Sequence, residues 1–154
     1  VPETEEYGVT SYVYRARQPF IPEKILATLN GDMPGVIPAK GHFWIATRPE
    51  WVAEFSLAGS LSGVKPIGTW RASVPKERWP DHVSTSDYIQ SHWQEPWGDR
   101  RQELVFIGAD IDWAALKAKL DACLVPAVLA ADLNALPLDM PNPFPGWRRV
   151  EDAA

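Results

Sequence analysis

The chain has 154 residues, of which 45% are hydrophobic and 23% charged, the balance of an ordinary folded domain with enough length to bury a core unaided. A net charge of −5 argues against nucleic acid as partner, since such proteins carry a basic face to displace counterions. The single cysteine, Cys123, excludes an internal disulfide and a Cys-based zinc knuckle, and fits a reducing cytoplasm. No apolar run is long enough to span a membrane, and the opening Val-Pro-Glu-Thr-Glu-Glu is not a signal peptide, so neither membrane nor secretion is expected. The first residue is not Met, as in an excised or processed chain.

Residues 1–6 are acidic and read as a linker end. The stretch 7–16, rich in Tyr, Val and Thr, predicts a first strand. Pro22 suits a first helical position, Glu23 complements the helix dipole, and Gly31 follows the last turn, so 22–30 reads as a helix with Ile25, Leu26 and Leu29 on one face. A long strand is expected over about 36–47. Alternation puts Ile37, Ala39, Phe43 and Ile45 on one side and Lys40, His42, Trp44 and Arg48 on the other, with an edge or bulge at Pro38. The segment 51–57 is open between strand and helix, and 63–72 reads as a strand.

Residues 74–97 hold Pro, Trp and His without steady periodicity and read as a surface excursion with one helical turn. The unbroken run Leu104-Val105-Phe106-Ile107 predicts a central strand buried on both faces. Asp110 or Asp112 can cap a helix carrying Trp113, Leu116, Leu120, Cys123 and Leu124 at helical spacing. The expected class is α+β: a mainly antiparallel sheet of four to five strands with two helices packed on one face. One domain over 7–125 is expected, followed by an extended tail, 126–154, packing on or near it.

Catalytic signatures are missing. There is no phosphate loop, no nucleophile elbow and no His-Glu-x-x-His helix, so no enzymatic activity is expected of this chain. His42, His82 and His92 lie far apart; His42 and His92 are weak metal candidates, while surface or core-rim histidine is the ordinary alternative. The eight tryptophans are spread along the chain, as suits a core and its rim. Polar residues run directly into the central strand at Gly98-Asp99-Arg100-Arg101-Gln102-Glu103. Arg100, Arg101 and Glu103 therefore either meet a partner surface or form an internal ion pair, and Lys40 and Trp44 are further candidate contacts.

Three blocks carry a resemblance: Gly98 to Gly108 (GDRRQELVFIG), Tyr14 to Phe20 (YRARQPF) and Lys40 to Arg48 (KGHFWIATR). Together with the late Asn142 to Trp147 (NPFPGW), they resemble the C-terminal domain of CobW-like metallochaperone GTPases. The resemblance implies an upstream domain that binds GTP and magnesium and handles zinc or cobalt, none of whose machinery is in these residues. It implies a client or regulatory role for this domain, with the GTPase domain, a client metalloprotein or a cobalamin-pathway protein as partners. The family often has His where this chain has Ile21, which removes a possible ligand and weakens a metal role here; it also commonly has an aromatic residue where this chain has His42. The alternative is a free-standing protein that binds metal or a small ligand through His42 and the aromatic strand face.

Overall fold

A computed structural model describes residues 8–136 and 139–148. In chain order they form β1 (Val9–Ala16), α1 (Pro22–Asn30), β2 (Val36–Phe43), β3 (Trp51–Ala58), β4 (Leu61–Thr69), α2 (Asp87–His92), β5 (Gln102–Ala109), α3 (Trp113–Asp121) and α4 (Ala127–Ala130). Single 3₁₀ turns punctuate 71–85 and 133–135. The strands make one sheet in the order β1-β5-β2-β3-β4, with every neighbouring pair antiparallel. β5 enters between β1 and β2, so those two run parallel to one another without touching. The segment 51–57, ambiguous from sequence, is strand, and Gly59 and Ser60 close the β3–β4 hairpin, with Gly59 at φ 62.

The α1 and α3 side chains explain which face is covered. Ile25 and Leu29 from α1, and Leu116 and Leu120 from α3, meet Tyr14, Ala39, Phe43, Phe55, Leu104 and Phe106 of the sheet in the main core. Asp112, not Asp110, caps α3, accepting from Ala115 N–H at 3.0 Å. A second cluster at one end gathers Trp44, Trp70, Trp97, Val125 and Leu136. From the late residues, Phe144 reaches the main core, and Arg48 clamps the carbonyls of Phe144 and Pro145 while stacking 4.4 Å from the Trp147 ring.

Two expectations are corrected. The Leu104–Ile107 run is not buried on both faces: Leu104 and Phe106 are fully buried, but Val105 is 37% exposed on a face that α1 and α3 leave uncovered. The second strand ends at Phe43 and does not continue to Thr47. Its early irregularity is a bulge between Val36 and Ala39, in keeping with Pro38, and the strand is internal, paired on both sides.

The stop after Phe43 has a specific cause. At Trp44 the partner is no longer backbone but the side chain of Gln102, which is completely buried. Its carbonyl accepts from Trp44 N–H at 2.8 Å, and its amide donates to Trp44 C=O at 3.0 Å and to Gln18 C=O at 2.9 Å. The chain beyond is taken over by Phe20, whose N–H donates to Trp44 C=O and whose C=O accepts from Ala46 N–H. Replacing Gln102 with Leu keeps the volume but strands the buried Trp44 N–H, at about 1–3 kcal/mol, and takes a donor from Gln18 C=O, while Trp44 C=O keeps Phe20 N–H. Gln102→Leu is expected to lower the unfolding free energy by about 3 kcal/mol in urea titrations; a loss below about 1 kcal/mol would show that the amide is dispensable.

Candidate functional site

The polar segment leading into β5 is held by its own neighbours. Gly98 turns at φ 70, where a Cβ would collide with Ala72 and press on the Trp93 ring. The Asp99 carboxylate, 1% exposed, accepts from the N–H groups of Arg71 and Ala72 at 3.0 and 2.9 Å and from the Tyr88 hydroxyl at 3.0 Å. Arg100 donates to Pro49 C=O at 2.6 Å and Trp97 C=O at 3.2 Å, with its guanidinium 5.7 Å from the Trp44 ring centre. Arg101 donates to Glu103 at 3.0 Å, to the Tyr88 hydroxyl at 3.2 Å and to Asp99 C=O at 3.0 Å. Arg17 adds donations to the carbonyls of Gly98 and Arg100. The arrangement ties the 70–101 excursion to the end of the sheet.

Beside this lock, the uncovered sheet face carries a row of ionisable side chains, one from each strand. Register sets Arg15 opposite Glu103, Glu103 opposite His42, His42 opposite Glu54, and Glu54 opposite Lys65. Three of these pairs close to ion-pair distance: Arg15–Glu103 at 3.6 Å, His42–Glu103 at 3.7 Å and Lys65–Glu54 at 3.8 Å. Opposite charges at the two ends of the row, Arg15 with Glu103 and Lys65 with Glu54, favour the register, though each pair contributes only tenths of a kcal/mol. The adjacent row sets Val105 against Lys40, and both are exposed.

Electrostatics make His42 a neutral link. Its Nε2 is enclosed without a hydrogen-bond partner, and Trp70 packs edge-on with ring centres 5.9 Å apart. Burial, then the charge of Arg101, holds the imidazole below its usual pKa against the opposing pull of Glu103. Burial pushes the Glu103 carboxyl up, but the hydrogen bond and charge of Arg101 outweigh it, so this group lies below the usual carboxylate range. A guanidinium beside the imidazole opposes a metal cation there. Among the described residues no three His, Cys, Asp or Glu side chains converge as a metal site would require.

Of the residues singled out from sequence, Arg101, Glu103 and His42 come together, and Lys40 lies on the same face. His92, on α2, packs its ring at a tilt against Tyr88, centres 5.0 Å apart, and is held low first by burial, then by Arg101. Trp44 is not on the open face: it is 0% exposed, its indole donating to Arg17 C=O. Arg100, 8% exposed, likewise faces inward. Alternation projected Trp44 outward because it assumed a strand that has already ended. Sequence reasoning missed Asp99, Tyr88 and Arg17, and also Arg15, Glu54 and Lys65. The last three share strand parity with the open face, but only register puts them in one row.

Removing Arg101 leaves the partly buried Glu103 with only the exposed Arg15, 3.6 Å away, as a cationic partner, and leaves Asp99 C=O and the Tyr88 hydroxyl without their guanidinium donor. Arg101→Ala is expected to cost about 3 kcal/mol of stability by denaturant titration. The same variant should raise the His42 midpoint in NMR titrations toward the ordinary value. Because the folded pKa lies below the unfolded one, protonating His42 favours unfolding, so its contribution weakens stability as pH falls through that ordinary value. A wild-type His42 midpoint at or above about 6.5 would contradict the reading.

Comparison with known proteins bears on the whole chain. The family model described as the cobalamin synthesis protein cobW C-terminal domain matches residues 9–124. A zinc-regulated GTPase metalloprotein activator 1 from Dictyostelium discoideum is 37% identical over 129 residues, covering 81% of this chain and 27% of that protein. A zinc chaperone from Mycobacterium tuberculosis is 27% identical over 142 residues, covering 87% and 34% respectively. The chain thus spans about a third or less of either relative. Among solved structures, a zinc-bound triple mutant of the YjiA GTPase superposes with a TM-score of 0.54 at 14% identity, over 77% of this chain and 30% of that one, a likeness of fold. By its sequence, the chain belongs to the cobW C-terminal domain family, that of the C-terminal domains of GTPase metallochaperones.

Proposed function

We propose that this domain is the accessory part of a GTP-dependent zinc chaperone, and that it docks on the GTP-binding portion through its uncovered sheet face. The supporting observation is the row Arg15–Glu103–His42–Glu54–Lys65, fixed in register on the face that α1 and α3 leave uncovered. A rigid sheet whose charges are held in register and pinned by Arg101 offers a preorganised surface, which lowers the ordering cost of association. Arg101 acts as the internal fastener and the exposed charges make the contacts. Zinc, and GTP with magnesium, belong on this reading to the rest of the protein, and the client would be a metalloprotein. Cobalt, cobalamin chemistry and the cytoplasm stay expectations of the resemblance. No described helix is long and apolar enough to cross a membrane.

The test is charge reversal on the face, in the protein that carries both portions. Lys40→Glu with Lys65→Glu alters two exposed side chains, so the melting temperature of the domain should hold. Zinc-dependent GTP turnover is expected to change at least about fivefold, the coupling equivalent of about 1 kcal/mol. Unchanged turnover in a folded double variant would remove the sheet face from the mechanism.

A further inference from the structure

The covered side of the sheet holds a second feature. α1 and α3 seal the core with their inward residues but leave a groove of about 780 Å³ between their outer flanks. Its walls are Ala27 from α1 and Gly31 just past its end, facing Ala115 from α3 and Ala122 just past its end, all exposed. Helices in contact ordinarily interdigitate larger side chains, and these residues are too small to fill the space. The floor is formed by Leu116, Thr28 and Cys123, the thiol donating to Lys119 C=O at 3.3 Å and lying 3.3 Å from the Thr28 hydroxyl.

The ends of the groove are opposite in charge. α1 runs from Lys24 toward Asp32, and α3 runs from Asp112 toward Lys119. The contact of Thr28 with Cys123 brings the C-terminal end of α3 against α1, and Ala109 N–H donating to Gly35 C=O at 3.1 Å brings the start of α3 to the chain leaving α1. Lys24 and Lys119 therefore mark one end, while Asp32, Asp110 and Asp112 mark the other. The two helices are antiparallel, each nine residues and hence about 13 Å long.

We infer that this groove receives an amphipathic helix of a partner protein, acidic in its first turn and basic in its last, lying parallel to α1. Small wall residues let a third helix backbone approach, and its apolar side chains at i, i+3, i+4 and i+7 would fill the groove. Acidic residues near its start meet Lys24 and Lys119, and basic residues near its end meet the aspartates. That distribution also suits the helix's own dipole, so the occupant is stable in the orientation the groove selects. The groove lies on the opposite side of the sheet from the charge row, so this inference and the docking of the sheet face fail separately.

The probe is a pair of synthetic helical peptides of about 14 residues, long enough for several turns. One has Glu in the first turn, a Leu stripe, and Lys in the last; the other has the same composition with the charged ends exchanged. Titration into the isotope-labelled chain should shift the amides of Ala27, Gly31, Ala115 and Ala122. The first peptide should bind at least about fivefold more tightly. In Lys24→Glu with Lys119→Glu, two exposed changes, that preference should vanish or invert. Equal affinities for the two peptides, shifts confined to the sheet face, or no shift with millimolar peptide would each overturn the inference.

Discussion

Gln102 gives up its side chain to do the work of a backbone. By pairing its amide with both polar groups of Trp44 and with Gln18, it ends β2 at Phe43 and fixes how the chain enters α1. It also sets the parity of β5: with Gln102, Leu104 and Phe106 facing the core, Glu103 and Val105 must face the other way. Arg101, just ahead of the strand, is then close enough to clamp Glu103, and the charge row takes its register from that anchor. An apolar residue at 102 would fill the space and keep that parity, but would lose the hold on Trp44 and Gln18.

The sheet, its two covering helices and the caps were legible because each leaves a local mark. Pro22, Asp112 and the spacing of Ile25, Leu29, Leu116 and Leu120 depend on neighbours within a turn or two. Legibility failed where a distant partner decides. An unbroken Leu-Val-Phe-Ile reads the same whether one face or both are covered, and it takes the layout of α1 and α3 to show that Val105 is left out. Nothing near Trp44 announces that a glutamine 58 residues away will replace its ladder partner. The row from Arg15 to Lys65 is invisible for the same reason, since it exists only through four strand registers. The groove depends on residues that are absent: alanines and glycine look like good helix composition or a stop, and their effect is the space they fail to fill.

The tight burial of Asp99, Arg100 and Arg101 reframes what a conspicuous charged motif does. A run of charge entering a central strand suggests recognition, yet most of its hydrogen-bonding capacity is turned inward to fasten the Trp-rich 70–101 excursion. On the docking proposed above, recognition falls instead to the exposed lysines of the sheet face, Lys40 and Lys65. The two surfaces of the domain differ in kind. The sheet face carries charges pinned in register; the helix side holds a largely apolar groove with charge at its ends. Such a division suits a domain that meets a fixed neighbour with one side and another chain with the other.

The most direct measurement is lysine-reactive labelling of the domain alone and joined to its GTP-binding portion, read site by site by mass spectrometry. Docking through the sheet face predicts that Lys40 and Lys65 lose reactivity in the joined protein, while Lys117, exposed on α3, keeps it. If Lys40 and Lys65 label equally well in both forms, the sheet face is free in the assembled protein and the proposed docking is contradicted.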